Sequence, residues 1–237
     1  MPTTNSTQPK PFSRLVIVQI SQTTLLFLIL AAALFIPAGR LAWLEAWIYL
    51  VVHYLLALMT AIWMLRTNPE LAQERTQPGK NVKHWDQTIV AINLTLTLAL
   101  YIVIGLDAGR FGWSAVPWSV RLLGLLGFIP AFGLPVGAAR ANAFLSSRVR
   151  IQEDRGHQVV DSGPYRYVRH PMYVGMMFFD ISLPLLLGSW WGMVVGGAMI
   201  VIVFVRTALE DRTLQAELPG YVEYTRKVKY RLIPGIW

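Results

Sequence analysis

Six apolar segments divide this chain and constrain its fold more than any other feature. They cover residues 15–38, 42–65, 87–106, 120–145, 172–187 and 191–205. The first four reach the length of about 20 residues that an α-helix needs to cross a bilayer, whereas the last two are just long enough. A turn at residues 188–190 joins those two segments into a helical hairpin. The sequence therefore predicts an all-α, polytopic membrane protein with about six transmembrane helices.

Composition supports this prediction. Of the 237 residues, 54% are hydrophobic and 14% are charged, whereas about 25% of residues are charged in a typical soluble domain. The chain has no cysteine, which excludes disulfide scaffolds and cysteine-ligated zinc or iron–sulfur sites. We expect no metal site.

The distribution of basic residues predicts the orientation in the membrane. With six crossings, Arg40, Arg110 and Arg121 fall on one side, and the other 18 of the 21 lysines and arginines fall on the opposite side. Because basic residues accumulate on the cytoplasmic face, we expect both termini and the two large polar segments to be cytoplasmic. This split also explains the pI of about 10.0 without nucleic acid as a partner.

Few ionisable residues lie within the apolar segments, and the main ones are Glu45, His53 and Asp180. A transporter would need more of them along its substrate path, so the sequence disfavours a transporter or scaffold. Glu45 and His53 share a helix face and can bond to neighbouring helices. Asp180 can either bridge helices or contact a substrate. Gly192 and Gly196 form a G-x-x-x-G pair that we expect to pack within the monomer.

Polar and aromatic residues concentrate instead in the segment before the hairpin. Pro171 suits the first position of a helix, which would place His170 at a helix N-terminus, where a carboxylate or phosphate is stabilised. Tyr165, Tyr167 and Tyr173 offer ring faces for a purine or a cation. An aromatic and basic belt at the membrane interface would explain the same composition.

A second polar cluster lies where the last apolar segment ends. Arg206 and Glu210 are four residues apart and therefore share a helix face. They could form a surface ion pair, which contributes little to stability. Alternatively, Arg206 could hold a substrate carboxylate in a bidentate contact while Glu210 meets a cation or a cofactor amine. Spacing alone does not decide between these interpretations.

The motifs of the C-terminal half resemble the isoprenylcysteine carboxyl methyltransferase family, which belongs with the integral-membrane phospholipid methyltransferases. The resemblance rests on Gly-Pro-Tyr165-x-x-x-Arg169-His170-Pro171-x-Tyr173-x-Gly175, Arg206-x-x-x-Glu210-Asp211, Leu218-Pro-Gly220-Tyr221-x-x-Tyr224 and Arg231-Leu-Ile-Pro234. It implies a cytoplasmic pocket for S-adenosylmethionine that lacks the Rossmann fold. It also implies a division into an N-terminal four-helix part, residues 1–145, and a C-terminal catalytic part, residues 146–237, within one structural domain.

The resemblance also implies roles for individual residues. Arg206 and Glu210 would be catalytic, with Arg206 facing the methyl acceptor and Glu210 closing the cofactor pocket, and Asp180 is a candidate substrate contact. The remaining cofactor-binding residues would be Gln152, His157, Gln158, Val159, Val160, Tyr165, His170, Pro171, Met172 and Tyr173.

The sequence constrains the identity of the methyl acceptor less than it constrains the identity of the cofactor. We expect a lipophilic small molecule or prenylated substrate that enters from the bilayer between helices near the hairpin, and membrane lipids as neighbours. An isoprenylcysteine-like carboxylate is the first candidate. Alternatively, the same cofactor could serve an enzyme whose acceptor is a phospholipid amine or a thiol. A further alternative is a relative of the sterol and ene reductases, which would bind NADPH in place of S-adenosylmethionine.

Overall fold

The computed structural model describes residues 12–76 and 81–237, with no description of the side chains of residues 12–14. Lys10 and Lys80, which belong to the basic residues counted above, lie outside the described residues, and the side chain of Arg14 is not described either.

Eight α-helices make up most of the described chain. They are α1 (Phe12–Ala38), α2 (Leu44–Thr67), α3 (Pro69–Thr76), α4 (His84–Ile104), α5 (Trp118–Ala141), α6 (Pro171–Leu187), α7 (Trp190–Glu217) and α8 (Tyr221–Lys227). A π-helix, Gly105–Phe111, extends α4, and two short 3₁₀ turns, Glu153–Arg155 and Gly163–Arg166, lie between α5 and α6. The described residues contain no strand, which agrees with the all-α prediction.

Five of these helical segments are long and apolar enough to cross a membrane. They are Leu15–Ala38, Leu44–Thr67, His84–Phe111, Trp118–Ala141 and Trp190–Glu217, and α6 is a shorter apolar helix. Only 11–28% of the residues in their most apolar windows are buried inside the protein. Such extensive exposure of leucine and isoleucine is explained by contact with lipid. The chain is therefore a polytopic, all-helical membrane protein.

The structure moves the ends of two helices from the limits that hydropathy gives: α7 ends later than residue 205, and α5 ends earlier than residue 145. Helix α7 continues to Glu217 because the residues after Val205 include good helix formers such as alanine, leucine, glutamate and glutamine. Helix α5 continues through Pro130 and Pro135 and ends at Ala141. The polar stretch after α2 contains α3, whose first turn begins at Pro69 and is capped by the side chain of Asn68. These differences matter because the ends of α3 and α7 contribute to the site.

A buried carboxylate in the π-helix ties α4 to the α6–α7 hairpin. Asp107 has no exposed surface. Its Oδ2 atom accepts hydrogen bonds from the hydroxyls of Ser114 and Ser189, each at 2.6 Å. The Ser189 hydroxyl in turn caps α7 by accepting from the backbone N–H of Gly192. The turn of the hairpin is thereby fixed at the end of the bundle opposite to the polar segments.

Glycines allow the helices around the hairpin to approach closely. A Cβ atom at Gly196 on α7 would lie 2.3 Å from the carbonyl oxygen of Asp180 on α6, and one at Gly175 on α6 would lie 2.5 Å from Pro135 on α5. Both distances are too short for a side chain. As predicted, the Gly192 and Gly196 pair packs within the monomer, as small residues do between membrane helices.

We predict that Gly196→Ala destabilises the protein by about 1–3 kcal/mol, because the added methyl group must push α6 and α7 apart. The matched control is Gly197→Ala, since a Cβ atom at Gly197 meets nothing within 4 Å. Thermal unfolding in one detergent should show a lower melting temperature for Gly196→Ala only. Equal melting temperatures for the two variants would contradict the close approach.

Candidate functional site

A cavity lies at the end of the bundle where the polar segments meet α6 and α7. It encloses about 780 Å³, a volume that includes open space at its mouth. Its wall consists of the connection between α5 and α6, the first turn of α6, the last turns of α7, and α8. We call it the polar cavity.

The structure brings nearly all of the predicted site residues together in this cavity. Arg206 and Glu210 line it, and so does every other residue expected to contact the cofactor, namely Gln152, His157, Gln158, Val159, Val160, Tyr165, His170, Pro171, Met172 and Tyr173. Their proximity is observed, whereas their roles stay predictions. Asp180 lies elsewhere, buried on α6 against Gly196, and lines neither this cavity nor the second one described below.

The first turn of α6 has the predicted arrangement. Pro171 occupies the first helical position and His170 is the N-cap residue. The ring of His170 stacks on that of Tyr173, with centroids 5.7 Å apart and planes 5° from parallel. The helix start therefore presents two parallel rings, one imidazole and one phenol, to the cavity.

Asp211 holds this turn in place although it does not line the cavity. It has no exposed surface, and Arg169 donates two hydrogen bonds to its carboxylate, at 2.8 and 3.0 Å. Arg231 and Tyr221 donate to the same carboxylate at 2.9 and 3.0 Å. His170 Nε2 lies 3.4 Å from Oδ1, and because a carboxylate only accepts, this contact favours the proton on Nε2 and leaves Nδ1 as the acceptor.

Glu210 and Arg206 contact the same tyrosine from different sides. The hydroxyl of Tyr173 donates to Glu210 Oε2. The Arg206 guanidinium lies over the Tyr173 ring, 5.3 Å from its centroid. Tyr173 thus connects the two residues that sequence spacing places on one helix face.

Arg206 forms its ion pair with Asp86 instead of Glu210. Its Nε donates to Asp86 Oδ1 at 2.9 Å, and its Nη2 donates to the carbonyl of Ser147 at 3.2 Å. Asp86 is completely buried and also accepts from the backbone N–H of Val149. The surface ion pair considered for Arg206 and Glu210 is therefore replaced by a buried one that fixes the guanidinium at the cavity wall.

Gln152 and His157 shape the loop over the cavity. Gln152 is 1% exposed, and its amide both donates to the carbonyl of Phe144 at 2.6 Å and accepts from Arg155. The Gln152 backbone N–H contacts His157 Nδ1 at 3.4 Å. The His157 ring packs on that of Phe144 at 4.9 Å. The side chain of Gln152 therefore holds the loop, and the rings of Phe144 and His157 form its aromatic lining.

Two tyrosines form the opposite wall. The hydroxyl of Tyr165 accepts from Asn142 at 3.2 Å, and its backbone carbonyl accepts from the Tyr224 hydroxyl at 2.7 Å. Burial raises the pKa of Tyr165 and of Tyr224, so both rings stay neutral at physiological pH. Both rings can stack on a ligand, the Tyr165 hydroxyl can also donate a hydrogen bond, and neither ring can serve as a base.

A second cavity of about 1,120 Å³ lies between α1, α2, α5 and α6. We call it the apolar cavity, because alanine, leucine, valine, methionine, proline and phenylalanine line most of it. Its polar lining consists of Gln19, Thr23, Thr60 and Arg75. Leu145 and Met172 line both cavities. The two spaces are therefore neighbours, separated at these two side chains.

Sequence analysis missed several residues that build the site. Asp86 and Arg75 lie in a polar stretch without a motif, and nothing in the local pattern points to their contacts with the C-terminal half. Three more of these residues, Tyr221, Tyr224 and Asp211, belong to the motifs that carry the family resemblance. Those motifs indicate that the three residues lie near the site, but they do not indicate which contacts each residue makes.

Electrostatics favour a neutral His157. Burial, together with the positive charges of Arg150 and Arg155, lowers its pKa to about 4. The unfolded chain should titrate near the ordinary histidine pKa of about 6.5. Because the unfolded chain binds the proton more readily, the neutral ring stabilises the fold above about pH 6.5, and this contribution is lost as the pH falls towards about 4.

We predict that His157→Asn weakens the pH dependence of stability between about pH 6.5 and 4. Asparagine keeps a hydrogen-bond acceptor near the position of Nδ1 and does not titrate. His84→Asn, at an exposed position at the start of α4, is the control and should keep the wild-type profile. Melting temperatures measured in detergent at several pH values in this window would test the assignment. A His157→Asn profile identical to that of the wild type would contradict it.

Comparison with known proteins agrees with this geometry. Residues 133–216 match the isoprenylcysteine carboxyl methyltransferase (ICMT) family. The cobalt-zinc-cadmium resistance protein CzcN of Cupriavidus metallidurans is 26% identical over 143 residues, which cover 57% of this chain and 60% of that protein. The chain thus matches less than two thirds of this relative. The matched region contains the end of α5, all of α6, nearly all of α7 and much of the polar cavity wall. Over residues 133–216, the chain is therefore similar to the isoprenylcysteine carboxyl methyltransferase family.

Proposed function

We propose that this protein is a membrane methyltransferase that uses S-adenosylmethionine to methylate the carboxylate of a lipophilic, isoprenylcysteine-like acceptor. One observation carries the proposal. The residues that match the family motifs line a polar cavity, and that cavity adjoins an apolar cavity formed by membrane helices. This arrangement suits an enzyme whose methyl donor is water-soluble and whose acceptor is lipophilic.

The polar cavity has the chemistry that this cofactor requires. Aromatic rings at Phe144, Tyr165 and Tyr173 can pack an adenine or attract a sulfonium. The start of α6, with its partial positive charge, suits the carboxylate of the methionine moiety. The carboxylate of Glu210 is available for a positive group, because the one hydrogen bond it accepts from the described residues comes from a neutral phenol.

The chain's own residues would act mainly by orienting the reactants and excluding water. When bound, S-adenosylmethionine supplies a methyl group that leaves its sulfur and forms a bond to the acceptor oxygen. A carboxylate acceptor is ionised at neutral pH, so the reaction needs no general base. Arg206 would hold that carboxylate with a guanidinium fixed by Asp86 and Ser147. Placing two reactants in this way can supply a large part of a rate acceleration.

We also propose that the polar cavity opens to the cytoplasm, with both termini on the same side. The support is the unequal distribution of lysine and arginine between the two ends of the helices. Arg148, Arg155, Arg212 and Arg226 all lie at the end of the bundle that carries this cavity.

The absence of cysteine from the sequence makes this orientation easy to test. We predict that a single cysteine at Gly39 reacts with a membrane-impermeant maleimide in intact cells, because the α1–α2 turn is expected outside. A cysteine at exposed Glu153 should react only after the membrane is opened. Reaction of Glu153→Cys in intact cells would contradict the orientation.

We predict that Glu210→Gln weakens S-adenosylmethionine binding about ten-fold or more, because glutamine keeps the shape and removes the charge that faces a positive group. Glu217→Gln is the matched control on the same helix, since Glu217 is half-exposed and pairs with Lys83 outside the cavity. Calorimetry on both purified variants without acceptor would measure the affinities. Equal, small effects would remove Glu210 from the cofactor site.

A further inference from the structure

Arg75 stands out among the partly buried basic residues of this protein. It lies on α3, which is held against α1, α2 and α5 by the buried side chains of Leu71 and Ala72. The preceding residue, Glu74, forms a buried bidentate ion pair with Arg150 at 2.8 and 2.9 Å. The Ser147 hydroxyl donates to the Arg75 carbonyl at 3.1 Å. The backbone that carries Arg75 is therefore firmly placed.

The Arg75 guanidinium has no acidic partner among the described residues, whereas comparable arginines do. Arg150 pairs with Glu74 and Asp154, and Arg169 pairs with Asp211. Arg75 donates only through Nη1, to the Leu145 carbonyl at 3.2 Å and towards Met172 Sδ at 3.9 Å. Its Nε and Nη2 make no hydrogen bond within the part of the chain that the structure describes. Removing a cation from water is costly unless it is paired, so the partly buried Arg75 is suited to an anionic ligand.

The position of Arg75 is where the two cavities meet. Arg75 lines the apolar cavity, and its two contacts, Leu145 and Met172, are the residues that line both cavities. Arg206 lines the polar cavity beside the same boundary, and Ser147 contacts both arginines, through its hydroxyl and its carbonyl. Burial lowers the pKa of Arg75, and the nearby charge of Arg206 lowers it further. At this junction Arg75 is thus the cation without an acidic partner among the described residues, and Arg206 beside it is paired with Asp86.

We propose that Arg75 is a specificity-determining residue that binds the anionic reactive end of the lipophilic acceptor at the junction of the two cavities. This proposal rests on the proposed function and adds a residue from outside the matched family region. The acceptor's hydrocarbon part lies in the apolar cavity, and its carboxylate lies between Arg75 and Arg206. An acceptor with a neutral or cationic head group is disfavoured, because the positive charge of Arg75, which has no acidic partner among the described residues, repels a cation and gains little from a neutral group.

Arg75 can be tested separately from the cofactor site because it lines the apolar cavity and not the polar one. The probes are N-acetyl-S-farnesylcysteine, which carries a carboxylate, and its methyl amide, which is neutral and has the same hydrocarbon chain. Their dissociation constants are measured on the full chain in phosphatidylcholine nanodiscs, with protein-free nanodiscs as the blank. The affinity for S-adenosylhomocysteine is measured on the same samples.

We predict that the wild type prefers the carboxylate probe by about ten-fold or more and that Arg75→Met reduces this preference below about three-fold. Arg75→Lys should keep part of the preference, because lysine retains the charge without the planar fork. Arg140→Met is the matched control. It removes a cation from an exposed position on α5, where Arg140 packs on Trp63 and lines neither cavity, and it should behave as the wild type does. The affinity for S-adenosylhomocysteine should be unchanged in all variants.

The outcomes separate this proposal from the proposed function. Full carboxylate preference in Arg75→Met, no preference in the wild type, or loss of S-adenosylhomocysteine binding in a folded Arg75→Met protein would each overturn the role of Arg75. If the wild type does not bind S-adenosylhomocysteine, yet shows a carboxylate preference that depends on Arg75, then the methyltransferase proposal fails and the anion site stands.

Discussion

Buried pairs of carboxylate and arginine hold the polar cavity together. Asp211 with Arg169 fixes the first turn of α6, Asp86 with Arg206 joins α4 to α7, and Glu74 with Arg150 joins α3 to the loop over the cavity. Burying such charges costs free energy, and the cost is offset only where the remaining hydrogen-bonding positions are also filled. Asp211 meets this condition with donors from Arg169, Arg231 and Tyr221. The wall of the site thus depends on three carboxylates, those of Asp211, Asp86 and Glu74, that do not themselves line it.

The wall of the polar cavity also lies at the boundary between two environments. On one side the wall is polar and aromatic, and on the other it is apolar and formed by membrane helices. Leu145 and Met172 separate the two, and Met172 is a flexible side chain that can adapt to ligands of different shape. Under the proposed function, the charged donor and the lipophilic acceptor would approach this boundary from opposite sides, so neither would have to enter an unfavourable environment.

The sequence predicts the features that depend on local pattern. The apolar segments gave the membrane helices, and Pro171 marked the start of α6 with His170 before it. No local pattern predicts the contacts between distant parts of the chain. Arg206 and its partner Asp86 are 120 residues apart, so helix spacing suggested Glu210, the nearest acidic residue on the same face. Hydropathy likewise ended α7 at its last apolar residue, because it cannot distinguish a helix that leaves the membrane from a loop.

The placement of Asp86, Glu74 and Arg75 bears on the predicted division at residue 145. All three belong to the N-terminal part, yet each contacts residues of the C-terminal part or lies at the junction of the cavities. We therefore expect residues 146–237 to need the N-terminal helices to keep their site, as one structural domain would. The family match begins at residue 133 and so excludes these three residues. Under the proposed function, relatives that share the matched region would share the residues that face the methyl donor and differ in the groups that face the acceptor, because those groups come partly from helices outside the match.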